Sequence, residues 1–211
     1  MGSAAITQFD PVALGRHENA AWVGYYRRQW RLVLGSAWGL VRNGFGLNRL
    51  QSVRGAWYVL RANQAWAPYP DNDPERAREL MRRFYALAAR VHGLPFDPGR
   101  AAELEVDWWR AHRVLQHEPS PSRRHSGHAG HSDDVEDAEL VASLTALYAY
   151  VYDAAPAAVR PAAQLRSRAM QLSDAWVARG CDPLDPALRE QQNTLVASYR
   201  SLRRAVEPSS G

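Results

Sequence analysis

Apolar residues recur at intervals of three and four along almost the whole chain, and strict alternation of apolar and polar residues is absent from the sequence. This spacing places the apolar side chains of each segment on one face of an α-helix. Local signals mark several boundaries: Asp73-Pro74 and Asp97-Pro98 begin helices, and Gly93 ends one. The sequence therefore predicts an all-α bundle of about seven amphipathic helices, over residues 17–45, 49–65, 74–92, 98–117, 134–152, 157–179 and 186–206.

One segment, residues 118–133, breaks this pattern. It is polar, rich in His, Ser, Gly and Pro, and has no large apolar side chain, which predicts a disordered loop. The loop joins two helical halves, 17–117 and 134–207, and each half has too few helices to bury its apolar faces alone. We expect one helical domain over 17–207, preceded by a flexible segment over 1–16.

Composition excludes several kinds of site. All 26 basic residues among the 211 are arginine, so a lysine Schiff base and a phosphate-binding loop with its lysine are both excluded. The single cysteine, Cys181, excludes an intramolecular disulfide and a multi-cysteine zinc site. No apolar run approaches the roughly 20 residues of a membrane span, and the first residues do not resemble a secretory signal. These features predict a soluble cytoplasmic protein.

The fourth predicted helix carries the most site-like group of residues. Glu105 and His112 are seven positions apart and lie on nearly the same line of the helix, beside Trp108 and Trp109. A carboxylate and an imidazole between indole rings could serve a metal- or haem-dependent enzyme, or an acid–base pair. The competing interpretation is structural, with His112 at the edge of the buried face and hydrogen-bonded to a neighbouring Glu. The Glu-x-x-His pattern of di-iron bundles is missing, because Trp108 stands three positions after Glu105.

A second candidate metal site is weaker. His125, His128 and His131 recur every three residues within the predicted loop and could collect a divalent transition metal. A disordered segment gives the imidazoles no fixed geometry, so a solvated loop is the simpler interpretation.

The first predicted helix has a cationic edge. Five of its residues lie within an arc of about 100°: Arg27, Arg28, Arg31, Trp38 and Arg42. This edge could contact an anionic membrane surface or an acidic partner, or it could be the solvated edge of a core helix. Nucleic acid is disfavoured, because the net charge is only +4 and the connection between the second and third helices is too long for a helix-turn-helix motif.

The proline-rich corner between the second and third helices contains Trp66, Tyr69, Asp71 and Asp73. Its prolines and aromatic residues indicate an ordered loop that could contact a partner. Helix capping and a rigid turn explain the same residues without a functional role.

The second predicted helix has an apolar stripe that includes Leu50, Val53 and Trp57, and we expect this stripe to face the core. Most of the eight tryptophans are then core residues. Alternatively, these aromatic residues could line a ligand cavity between the first, second and fourth helices.

No motif in the sequence names a reaction, a cofactor or an oligomeric state, and whether the protein is an enzyme stays open. We expect a helical bundle that binds a protein partner or an apolar small ligand. The alternatives are a metal- or haem-dependent enzyme built on Glu105 and His112, and peripheral membrane attachment through the first helix.

Overall fold

The computed structural model describes residues 4–117 and 133–207, with side chains for 6–117 and 137–207. These residues form helices and no strands, which confirms the all-α prediction; most of the predicted loop over 118–133 lies outside them. None of these helices combines the length and the hydrophobicity needed to cross a bilayer. In chain order the helices are α1 (Ala4–Thr7), α2 (Pro11–Tyr26), α3 (Trp30–Phe45), α4 (Arg49–Trp66), α5 (Pro74–His92), α6 (Pro98–His117), α7 (Asp133–Tyr152), α8 (Pro156–Ala178) and α9 (Ala187–Val206).

The eight long helices form a closed ring. Each helix from α2 to α8 packs against the next one in the sequence, and α9 packs against α2. Gly15 makes the closure tight, since a Cβ atom at this position would lie 2.5 Å from Cγ2 of Val196. The hydroxyl of Ser198 donates to the carbonyl oxygen of Ala162 at 2.8 Å and fixes α9 against α8. Each of the eight long helices therefore turns one face toward a common centre.

The prediction of a single first helix over 17–45 is wrong, and the described residues form eight long helices where about seven were expected. The chain breaks between α2 and α3, where Arg28 has a left-handed conformation with φ of 57°. The backbone N–H of Gln29 donates to the carbonyl oxygen of Gly24 at 2.7 Å, a pattern that ends helices. Glycine normally occupies the left-handed position, so arginine there gave no sequence signal. The guanidinium of Arg28 lies 5.8 Å from the ring centre of Trp30.

The prediction that Leu50, Val53 and Trp57 face the core is also wrong. They are 82%, 57% and 52% exposed, and α4 presents this face outward. A Cβ atom on Gly55 would lie 2.9 Å from Cγ1 of Val41, so small residues bring α4 close to α3. Close packing at Gly55 turns this side of α4 inward and leaves Leu50, Val53 and Trp57 outside. The buried face of α4 consists of Ser52, Gly55, Ala56, Leu60, Ala62 and Trp66.

The segment before His17, for which we predicted flexibility, contributes to the core. Ile6 and Phe9 are almost completely buried. The side chain of Asp10 accepts a hydrogen bond from the backbone N–H of Val12 at 2.8 Å and caps α2. The described part of this segment is therefore attached to the ring.

The caps predicted from sequence occur as expected. The side chain of Asp73 accepts from the backbone N–H of Arg76 at 2.9 Å, and Asp97 accepts from Arg100 at 2.7 Å. Gly93 has a φ of 63° at the end of α5. These local signals fixed α5 and α6 correctly, and α6 carries the candidate site.

Candidate functional site

A cavity of about 260 Å³ lies in the centre of the ring. All eight long helices contribute to its wall, which is mainly aromatic and aliphatic. The polar or ionisable members of the wall are Glu18, Tyr25, Tyr26, Asn63, Tyr85, Glu105, His112, Arg113, Gln116, Tyr148, Tyr152, Arg166 and Tyr199.

A buried ion pair forms one part of this wall. Nη2 of Arg166 on α8 lies 2.5 Å from Oε1 of Glu18 on α2, and these side chains are only 13% and 4% exposed. Tyr199 on α9 donates its hydroxyl to Oε2 of Glu18 at 2.6 Å. Nη1 of Arg166 donates to the hydroxyl oxygen of Tyr148 at 3.2 Å, and its guanidinium lies 4.8 Å from the ring centre of Trp108. Both charges are thus paired and hydrogen-bonded, as burial requires.

Glu105 forms a second buried group. The hydroxyl of Tyr85 donates to Oε2 of Glu105 at 2.6 Å, and Nε1 of Trp109 donates to Oε1 at 3.2 Å. Burial raises the pKa of Glu105, while the charge of Arg166 and the hydrogen bond from Tyr85 act in the opposite direction. The indole N–H of Trp108 is buried without a hydrogen-bond partner of normal geometry. It nevertheless lies close enough to Glu105 to favour the charged form of that carboxyl group. Glu105 is therefore a buried carboxyl group held by hydrogen bonds from α5 and from its own helix.

A polar layer closes one end of the cavity. Nε2 of Gln116 donates to the hydroxyl oxygen of Tyr26 at 2.7 Å and to Oδ1 of Asp174 at 2.6 Å. Nε2 of His112 lies 3.0 Å from Oδ2 of Asp174. Burial and the charge of Asp174 raise the pKa of Tyr26, so its hydroxyl stays protonated.

The polar layer is also the boundary to a second, wider groove of about 1130 Å³. Six residues line both spaces, namely Tyr25, Tyr26, His112, Arg113, Gln116 and Met170. A molecule that entered the cavity from this groove would have to separate the hydrogen bonds of the layer.

The structure places Glu105 and His112 in the wall of the same cavity, with Trp108 and Trp109 beside them. The two side chains do not converge on one ligand position, however. Glu105 is hydrogen-bonded to Tyr85 on α5, and His112 is hydrogen-bonded to Asp174 on α8. Within residues 4–117 and 133–207, no group of three or more His, Cys, Asp or Glu side chains could hold a metal ion. His125, His128 and His131 lie outside the described residues.

Family models, curated proteins and solved structures all gave no match to this chain. Function is therefore inferred from the geometry of the cavity and of the surface.

Sequence analysis missed several cavity residues, above all Glu18 and Arg166. A signal was present: Glu18 stands four positions after Leu14 and four before Trp22, and Arg166 stands four before Met170. A charged residue with apolar neighbours at this spacing lies within a buried stripe. The partners could not be paired from sequence, because 148 positions separate them.

The break between α2 and α3 divides the predicted cationic edge. Arg27 and Arg28 lie at the break, and Arg31, Trp38 and Arg42 share one face of α3. The guanidinium of Arg42 lies 5.2 Å from the ring centre of Trp38, which is half-buried. Arg31 and Arg42 are exposed.

The proline-rich corner is ordered and attached to α6. Trp66 is buried and lines the cavity. Nη2 of Arg113 donates to the carbonyl oxygen of Trp66 at 3.1 Å, and its guanidinium lies 5.4 Å from the ring centre of Tyr69. The ring of Tyr69 lies 3.9 Å from that of His117, while Asp71 is exposed.

Proposed function

We propose that the central cavity binds a small, mainly apolar molecule with one hydrogen-bonding group. The observation that carries this proposal is a 260 Å³ cavity, lined by residues of all eight long helices, with ionisable side chains in its wall. A ligand that fills this space removes the apolar wall from water and stabilises the folded state.

The volume limits the size of the ligand. An engineered apolar cavity of about 150 Å³ binds benzene, and pockets for drug-sized molecules begin near 300 Å³. A cavity of about 260 Å³ suits a molecule with one ring or two fused rings. Aromatic rings in the wall, such as those of Trp22, Phe84 and Trp108, favour a flat ligand.

The polar part of the wall limits the chemistry of the ligand. Replacing a buried ion pair with apolar residues is often neutral or stabilising, so the pair of Glu18 and Arg166 is poorly explained by stability alone. Glu105 can accept a hydrogen bond from a ligand when ionised and donate one when protonated. A hydroxyl or amine group on an otherwise apolar ligand meets these requirements.

Thermal unfolding with phenol and indole as probes tests the proposal. We expect both probes to raise the midpoint temperature with increasing concentration, because they bind only the folded protein. Ala37 is buried in the cavity wall, so Ala37→Leu should reduce the shift by filling space. Ala142→Leu is the matched control, since Ala142 is exposed on α7 and away from the cavity.

The proposal fails if neither probe raises the midpoint and solvent extraction of the purified protein releases no small molecule. An equal loss of the shift in Ala37→Leu and Ala142→Leu would also contradict it. A haem absorption band or stoichiometric metal that His112→Ala removes would instead support the enzyme built on Glu105 and His112.

A further inference from the structure

We propose that the outward face of α4 attaches the protein to an anionic membrane surface. This α4 face consists of Leu50, Val53, Arg54, Trp57 and Arg61, which are all exposed. The proposal concerns the outside of the ring and is independent of the cavity and its ligand.

The α4 face concentrates exposed apolar side chains. Of the seven large hydrophobic residues exposed in the described parts of the chain, three lie on this face. Leu50, Val53 and Trp57 have the spacing i, i+3 and i+7, so they form one stripe along the helix. Apolar residues exposed singly are ordinary on a protein surface, whereas a continuous stripe marks an interaction site.

The charge around this stripe has one sign. No Asp or Glu occurs in the 52 residues from 19 to 70, which contain seven arginines. None of these arginines forms an ion pair with a carboxylate of the described residues. On the neighbouring α5, by contrast, Glu75 pairs with Arg78, and Glu79 pairs with Arg82 and Arg83. The side of the ring formed by α3 and α4 is therefore positively charged, and its arginines have no carboxylate partners among the described residues.

The arginines of the α4 face flank its apolar stripe. At 100° per residue, Arg54 and Arg61 fall on one edge of an arc that contains Leu50 and Trp57. The guanidinium of Arg61 lies 5.9 Å from the ring centre of Trp57. A helix of this kind lies in the plane of a membrane, with Trp at the level of the headgroups and Arg on the lipid phosphates.

The shape of the surface favours a membrane over a peptide partner. An amphipathic peptide helix binds in a groove, but the α4 face is the outer surface of one helix. Neither the cavity nor the wider groove includes Leu50, Val53 or Trp57. A lipid surface needs no groove, and its negative phosphates complement the unpaired arginines.

Co-sedimentation of the full chain with lipid vesicles tests this proposal. We expect binding to vesicles of phosphatidylcholine mixed with phosphatidylglycerol, little binding to phosphatidylcholine alone, and weaker binding at high salt. Each arginine near an anionic surface contributes about fivefold to affinity, so Arg54→Gln with Arg61→Gln should weaken binding about thirtyfold. Leu50→Ser with Trp57→Ser should weaken it at least about tenfold.

The control variants remove the same types of side chain from other parts of the surface. Arg200→Gln with Arg204→Gln removes two exposed arginines from α9, and Leu184→Ser removes an exposed leucine. Circular dichroism verifies that every variant is folded. The proposal is overturned if the wild type does not bind the mixed vesicles at low salt, or if the controls lose as much affinity as the α4 variants. Binding to an acidic peptide without binding to vesicles would assign the α4 face to a protein partner and would overturn it as well.

Discussion

Charged residues on the outside of the ring and in its central cavity are paired in different ways. Most outer pairs are local, with partners three or four positions apart; examples are Glu75–Arg78, Glu79–Arg83, Arg100–Glu103 and Arg203–Glu207. An exception is Arg179, which pairs with Asp185 six positions later, beyond the end of α8. The inner pair joins Glu18 on α2 to Arg166 on α8, 148 positions later. Most charge pairs outside the ring thus follow from helix geometry, while the pair of Glu18 and Arg166 depends on the whole fold.

The environment also changes the chemistry of the same residue type. Glu79 is near the surface, and hydrogen bonds from Arg82 and Arg83 lower its pKa to about 2. Glu105 is buried, and the loss of water raises its pKa. Burial thus favours the protonated form of Glu105, whereas the neighbouring arginines favour the ionised form of Glu79. Three substitutions test how far this contrast extends.

The largest effect is expected for Arg166→Met, which leaves the carboxylate of Glu18 buried without its cation. Removing one partner of a buried ion pair costs about 3–5 kcal/mol. Urea unfolding, monitored by circular dichroism, measures the free energy of unfolding.

The double variant Arg166→Met with Glu18→Met is the control for this prediction. It should recover much of the lost stability, because neither charge is then left alone in the interior. A loss below about 1 kcal/mol in Arg166→Met, typical of exposed pairs, would show that the interior pair behaves like the outer ones.

An intermediate effect, dependent on pH, is expected for Glu105→Gln. The pKa of Glu105 is higher in the folded protein than its ordinary value of 4.5. The folded state therefore binds more protons than the unfolded state above pH 4.5, and stability falls as the pH rises toward the folded pKa. Glu105→Gln removes this part of the pH dependence and, at acidic pH, costs about 1 kcal/mol for a weakened hydrogen bond to Tyr85 or Trp109.

Unfolding of the wild type and of Glu105→Gln over a series of pH values checks this prediction. Glu103→Gln on the same helix is the control, since Glu103 is exposed and pairs with Arg100. Parallel curves for the wild type and Glu105→Gln would mean that Glu105 has an ordinary pKa.

The smallest effect is expected for Glu79→Gln. The lowered pKa of Glu79 gives stability that is present above pH 4.5 and is lost as the pH falls toward about 2. The pairs with Arg82 and Arg83 are partly exposed, so solvent screens them and the loss at neutral pH should stay below about 1 kcal/mol. Thermal unfolding measures the difference, and a loss as large as that of Arg166→Met would remove the contrast between the two regions.

The same contrast explains what the sequence could predict. Caps and helix ends depend on a few neighbouring residues, and the signals at Asp73, Gly93 and Asp97 placed α5 and α6 correctly. The end of α2 was missed because arginine, and not glycine, takes the left-handed position at Arg28. Periodicity identified the stripe with Trp57 on α4, but it could not show that small residues on the opposite face would be chosen for the interior.

The candidate site was predictable only along one helix. Glu105 and His112 were found because both lie on α6, and the structure places both in the cavity wall. Tyr85, Glu18 and Arg166 join them from other helices, and helix packing across the ring decides which of these side chains meet. Side chains from α2, α5, α6 and α8 come together only because the ring closes. The spacing of apolar residues along the sequence does not reveal which helices will be neighbours.

The packing of α9 against α2 has a consequence for synthesis of the protein. Glu18 leaves the ribosome long before its partners, since Arg166 follows 148 residues later and Tyr199 follows 181 residues later. Its carboxylate must stay hydrated until both partners have emerged, so the arrival of α9 completes the interior of the ring. A nascent chain stalled before α9 should therefore be sensitive to proteases, and resistance should arise abruptly once α9 is released.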